Sequence, residues 1–168
     1  TKKKEEIQNP FLAEIETLYS KEFEMAQKIS KKIKKKLNVK LPRGEEGFIA
    51  LHIHSARTSG KLSNTIKYSY LSSVIVEEIE KRLNIKIDRK SLDYARFLTH
   101  VRFAIERVVA NKEITNDLLD VIKERYKVSY NIAEDISGII CKTLEVESIS
   151  EDEISYLAMH IERFRITL

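Results

Sequence analysis

The segment Gly47-Phe48-Ile49-Ala50-Leu51-His52-Ile53-His54-Ser55-Ala56-Arg57 returns near the C-terminus as Ser155-Tyr156-Leu157-Ala158-Met159-His160-Ile161-Glu162-Arg163-Phe164-Arg165. It is one end of a long internal repeat. A shift of 107 positions places Leu12 on Leu119, Ile15 on Ile122, Tyr19 on Tyr126, Ala26 on Ala133, Ile33 on Ile140 and Leu37 on Leu144. One inserted residue then moves the offset to 108, where Glu45 falls on Glu153, Ala50 on Ala158, His52 on His160 and Arg57 on Arg165. A period this long is a duplicated domain, because solenoid repeats run about 20 to 50 residues. The second copy extends back through residues 66–110 before it reaches the part that matches the first, whereas the first begins at about Asn9. The expected organisation is the C-terminal half of a first domain over 1–60, a linker over 61–65 and a complete second domain over 66–168. On this reading the sequence is part of a longer protein.

Within each copy the apolar residues recur at helical spacing. Asn9-Pro10 reads as a helix start, with Phe11, Leu12, Ile15 and Leu18 following. Ser20 is the expected cap of the next helix, in which Phe23, Ala26, Ile29, Ile33 and Leu37 mark the buried stripe. Lys31 to Lys36 surround Ile33 there and read as a solvated face more readily than as a nucleic-acid patch. After Leu41-Pro42-Arg43-Gly44, a helix carrying His52 runs to about Arg57, and Thr58 to Asn64 has linker composition. Beyond it, Ile66, Tyr70, Val74, Ile75, Ile79 and Leu83 keep helical spacing, as do Leu92, Ala95, Phe97, Val101, Ala104, Ile105 and Val108 after a cap signal at Asp88. Helices near 115–126, 129–145 and 151–165 then repeat the first three. Val39 to Leu41 and Ile85 to Ile87 are too short to argue strands. The class is all-α, with about five helices per complete copy.

Composition adds limits. The net charge of +4 is a weak hint of an acidic partner. The single Cys141 rules out an intramolecular disulfide, and no apolar run reaches membrane-spanning length, so a cytoplasmic protein without membrane insertion is expected. His52 and His54 lie about 200° apart on a helix and cannot share a metal as an i, i+4 pair could. Glycine-rich phosphate loops and hydrolase signatures are absent. Neither a metal nor a cofactor is expected, and nothing points to an enzyme.

The remaining candidate chemistry is at His100, in Leu98-Thr99-His100-Val101-Arg102-Phe103-Ala104-Ile105-Glu106-Arg107. Helical spacing brings Asp93, Phe97, Phe103, Ala104 and Arg107 to about the same side. A neutral ring nitrogen can attack a phosphoryl group, a carboxylate can hold the tautomer, and an arginine can neutralise the incoming dianion. The same pattern also suits a buried helix histidine bonded to a carbonyl.

These segments, together with Asn9-Pro10-Phe11-Leu12 leading to Leu18-Tyr19, resemble the PTS regulation domains of BglG-type transcriptional antiterminators, the LicT, SacY and GlcT group. The resemblance spans nearly the whole chain. It implies tandem five-helix bundles, the first N-terminally incomplete here, each with two phosphorylatable histidines. His100 and His160 match those of the second domain and His52 the later one of the first, while His54 matches none and reads as incidental. Arg102, Arg107 and Asp93 are the expected supports of the phosphoryl group. The phosphocarrier HPr and a sugar-specific enzyme II are the implied donors, a homodimer the implied assembly, and RNA binding the task of an N-terminal domain outside this sequence. A DNA-binding activator carrying the same domains, a basic helical nucleic-acid-binding module, and a helical interaction module with core histidines are the alternatives.

Overall fold

A computed structural model describes residues 8–167, and among them the chain is all-α: eight helices and no strand. They are α1 (Leu12–Leu18), α2 (Ser20–Leu37), α3 (Arg43–Arg57), α4 (Leu62–Leu83), α5 (Leu92–Val109), α6 (Leu119–Arg125), α7 (Lys127–Leu144) and α8 (Glu151–Ile166). No helix among the described residues is long and apolar enough to cross a membrane.

The chain divides into two compact units between Tyr70 and Leu71. Residues 62–65, read from composition as linker, form the first turn of α4, and Leu62 and Ile66 pack against the core of the first unit. That core is Phe11, Ile15, Tyr19, Phe23, Ala26, Ala50 and Leu51, drawn from the segment leading into α1 and from α1, α2 and α3. In the second unit α8 is central. It packs on α5, α6 and α7 and buries Leu157, Ala158, Ile161 and Phe164.

Local chemistry explains most helix boundaries. Asn38 and Glu145, repeat-equivalent, stop α2 and α7 in the left-handed conformation at φ 54° and 56°. Ser91 and Ser150 cap α5 and α8 by accepting from the backbone N–H of Tyr94 and Glu153. Two expected caps differ. Asp88, four residues before α5 begins, accepts from the N–H of Lys90, and Ser20 caps nothing, because α2 follows α1 after the single residue Tyr19. Asn9 lies in the turn ahead of α1, where its amide donates to the Gly44 carbonyl. The apolar stripe of α2 also differs from the expected one. Phe23 and Ala26 are buried, but Ser30 completes the stripe while Ile29 and Leu37 face outward. Tyr70 on α4 is likewise exposed, and Leu71, Ile75, Val76 and Ile79 carry the burial.

The two copies use matching positions for polar contacts but with the charges exchanged. In the first, Glu16 of α1 pairs with Arg43 of α3 at 2.7 Å, and Arg43 covers the Phe23 ring. In the second, Lys123 of α6 pairs with Glu151 of α8 at 2.7 Å, and Lys123 covers the Tyr130 ring. Further along, Glu22 of α2 is met by His54 at 3.3 Å and Arg57 at 2.8 Å from α3. Its counterpart is Ser129 of α7, whose hydroxyl donates at 2.6 Å to Glu162, the residue in the place of His54, while Arg165 closes on the same carboxylate. His54 is therefore a fixed part of the α2–α3 contact, stacked on Tyr19 at 4.0 Å between ring centroids.

Candidate functional site

His100 sits midway along α5 and His160 midway along α8. The packing of these two helices brings their rings to 4.9 Å between centroids. Phe97, one turn before His100, is fully buried and touches both the His160 ring and Phe164. The two imidazoles open on a cleft of about 480 Å³ lined also by Leu92, Ala95, Arg96, Thr99 and Phe103. The Tyr156 ring, one turn before His160, stands 5.9 Å from His100, and its hydroxyl donates to the Thr115 carbonyl.

Beneath the histidines lies a carboxylate. Glu153, in the first turn of α8, is buried, and Arg107 of α5 grips it with two hydrogen bonds of 2.9 and 2.6 Å. Its Oε1 is 3.3 Å from His100 Nε2, a contact too poorly aligned to be a full hydrogen bond. Burial by itself raises the Glu153 pKa, but the His100 and Arg107 contacts outweigh it and hold the carboxyl below the usual range. The His160 pKa is lowered as well, which here favours the neutral form: burial first, and then the charge of His100, bring it down to about 4. At neutral pH His160 is therefore a neutral imidazole with a lone pair, the form a phosphoryl acceptor needs.

The structure brings together three of the residues expected at this site. His100 and His160 face one another, and Arg107 is joined to them through Glu153. Asp93 stands at the edge, bonded by Arg163 at 3.0 Å and approached by Arg96 at 3.9 Å, so it does not hold the His100 ring. Arg102 is not brought in. It lies two residues beyond His100, about 200° around the helix, with its guanidinium 4.7 Å from the Phe103 ring centroid. His52, on α3 of the first unit, is exposed. Sequence reasoning missed Glu153 as the carboxylate of the site. The available signal was its spacing from His160: seven residues is two helical turns, which puts both on one face of α8. Glu45 and His52 keep that spacing in the first copy. No cluster of three or more metal-ligating side chains exists among the described residues.

A family model described as PRD domain matches residues 1–56 and 73–164. The chain is 38% identical over 161 residues to the PtsGHI operon antiterminator of Bacillus subtilis, covering 94% of this chain and 57% of that protein. It is 37% identical over 160 residues to Protein GlcT of Staphylococcus haemolyticus, covering 94% and 56% respectively. It is 31% identical over 166 residues to the beta-glucoside operon antiterminator of Dickeya chrysanthemi, covering 97% and 58%. The chain thus spans little more than half the length of these relatives. With the family model matching most of the sequence and the helical units duplicated, the chain belongs to the PRD domain family.

Proposed function

We propose that this chain is the regulatory region of a cytoplasmic transcriptional antiterminator, a phosphoacceptor without turnover of its own. The observation that carries the reading is the pair His100 and His160, 4.9 Å apart in one cleft and served by a buried carboxylate. The names of the relatives support the antiterminator assignment. In this reading residues 1–60 belong to a first regulation domain and 66–168 form the second.

The phosphoryl group comes from HPr. A lone pair of His100 attacks phosphorus, the donor's N–P bond breaks, and its electron pair returns to the donor imidazole. Nε2 of His100 is turned inward, 3.3 Å from Glu153 Oε1, which makes Nδ1 the reacting atom in this reading. His160, neutral and on the same cleft, is the second acceptor. His52, exposed on α3 with Glu45 two turns before it, is the acceptor of the first domain for a sugar-specific enzyme II. Each transfer places about −1.5 to −2 charges at a helix face. Leu92 and Phe103, exposed apolar residues beside the cleft, supply a surface for homodimerisation that such a charge perturbs. RNA binding resides in a domain outside this sequence.

The test is incubation with phosphoenolpyruvate, enzyme I and HPr, followed by mapping of acid-labile label. His100→Ala and His160→Ala each lower the label with helicity unchanged. Equal labelling of both variants and the parent refutes the assignment.

A further inference from the structure

A phosphoryl dianion in the cleft requires a cation, and the arginines to consider are Arg96, Arg102 and Arg107 of α5 and Arg163 of α8. Three are already engaged. Arg107 holds Glu153 with two hydrogen bonds, Arg163 donates to Asp93 at 3.0 Å, and Arg102 lies over Phe103 away from the cleft. Arg96 differs in each respect. It lines the cleft together with His100 and His160, its side chain is 54% exposed, and its ion pair with Asp93 is stretched to 3.9 Å, beyond hydrogen-bonding distance. It lies one turn before His100 on α5, where i and i+4 side chains meet. Asp93 keeps Arg163 when Arg96 swings away, so the movement leaves no carboxylate unpaired.

We propose that Arg96 is the residue that binds the phosphoryl group in this cleft, and that its one guanidinium serves one phosphorylated histidine at a time. The inference rests on the phosphoacceptor reading above and deepens it. A guanidinium matches the planar spread of phosphoryl oxygens and can hold two of them. With the group on His100 the contact stays within α5. With the group on His160 it ties α5 to α8. The first transfer meets a guanidinium held only by its long ion pair to Asp93. The second meets a dianion already in place and a guanidinium already used, so the two histidines are coupled negatively although neither blocks the other sterically.

The experiment uses the whole chain and potassium phosphoramidate, a small donor that needs no protein docking, with phospho-HPr as a parallel arm. Intact mass against time gives the rates of first and second labelling, and His100→Gln and His160→Gln serve as single-site references. Arg96→Gln is expected to slow the first labelling about tenfold, the worth of one charge-assisted pair, and to bring the two rates together, with Arg96→Lys in between. The exposed position of Arg96 predicts an unchanged thermal melt, which separates this effect from misfolding. First labelling of Arg96→Gln at the parent rate overturns the proposal, as does a parent chain that phosphoramidate labels at neither histidine. Labelling by phosphoramidate but not by phospho-HPr, slowed by Arg96→Gln, upholds Arg96 and removes HPr as the donor.

Discussion

Replacing Glu153 by Gln tests the construction of the site without reference to its partners. The substitution keeps the shape of the side chain and removes its charge. The Glu153 side chain is 4% exposed and that of Arg107 24%, so the pair is largely but not wholly out of water. Breaking a buried ion pair costs about 3–5 kcal/mol. Water reaching the Arg107 guanidinium recovers part of this, and the Gln amide retains one acceptor, which leaves about 2–3 kcal/mol. For a unit of this size that corresponds to a fall in Tm of about 10–20 °C. The chain has no tryptophan, so unfolding is best followed in urea by circular dichroism. A double-mutant cycle with Arg107→Met should show that the double variant loses less than the sum of the singles. The pH dependence has a defined sign. The Glu153 pKa is depressed in the folded chain, so its contribution is complete above the unfolded value near 4.5 and is lost as pH falls through the lower folded value. The difference between parent and Glu153→Gln should therefore be constant at neutral pH and shrink in acid. A loss below about 0.5 kcal/mol at neutral pH, in the range of exposed pairs, refutes the reasoning.

Three further outcomes are expected. His160, with its pKa near 4 against 6.5 for a free imidazole, should keep a neutral-form NMR signature down to about pH 5; because the unfolded chain then binds the extra proton, stability should decrease from about pH 6.5 downward, less so in His160→Gln. A Cβ at Gly47 would come within 2.7 Å of Asn9 Nδ2 and 2.9 Å of Leu12 Cδ1, so Gly47→Ala should displace the Asn9 bond to Gly44 and cost about 1 kcal/mol in a urea titration. Glu16→Lys should destabilise the first unit by about 0.5 kcal/mol, and adding Arg43→Glu should restore it, since that pair has the polarity of Lys123 and Glu151.

Much of the fold is legible in the sequence because the duplication lets α1, α2 and α3 be read a second time as α6, α7 and α8. Three helices of the second copy are placed by their counterparts in the first, and periodicity puts His100 and His160 on helices, while their approach comes from the packing of α5 on α8. What failed has physical causes. Periodicity ranks residues by spacing and not by what covers them, so Ile29 falls on the expected buried stripe although of the equivalent pair only Ile136 is buried. The second unit has α5 and most of α4 in addition to the three shared helices. Helical spacing points to Asp93 as the carboxylate because it shares a helix with His100, whereas Glu153 reaches the ring from another helix 53 residues later. Arg102 is among the expected supports of the phosphoryl group, but two residues past His100 is about 200° around the helix.

The exchanged charges of the two copies bear on how a duplicated chain avoids confusing its own halves. Two hairpins with the same apolar pattern compete for two third helices of the same pattern, and hydrophobic burial discriminates poorly between them. Pairing α1 and α2 with α8 would set Glu16 against Glu151 and Glu22 against Glu162. Pairing α6 and α7 with α3 would set Lys123 against Arg43. Each native pairing is attractive and each of these crossed contacts is repulsive, so a few charged residues act as an address that directs every hairpin to its own helix as the chain folds.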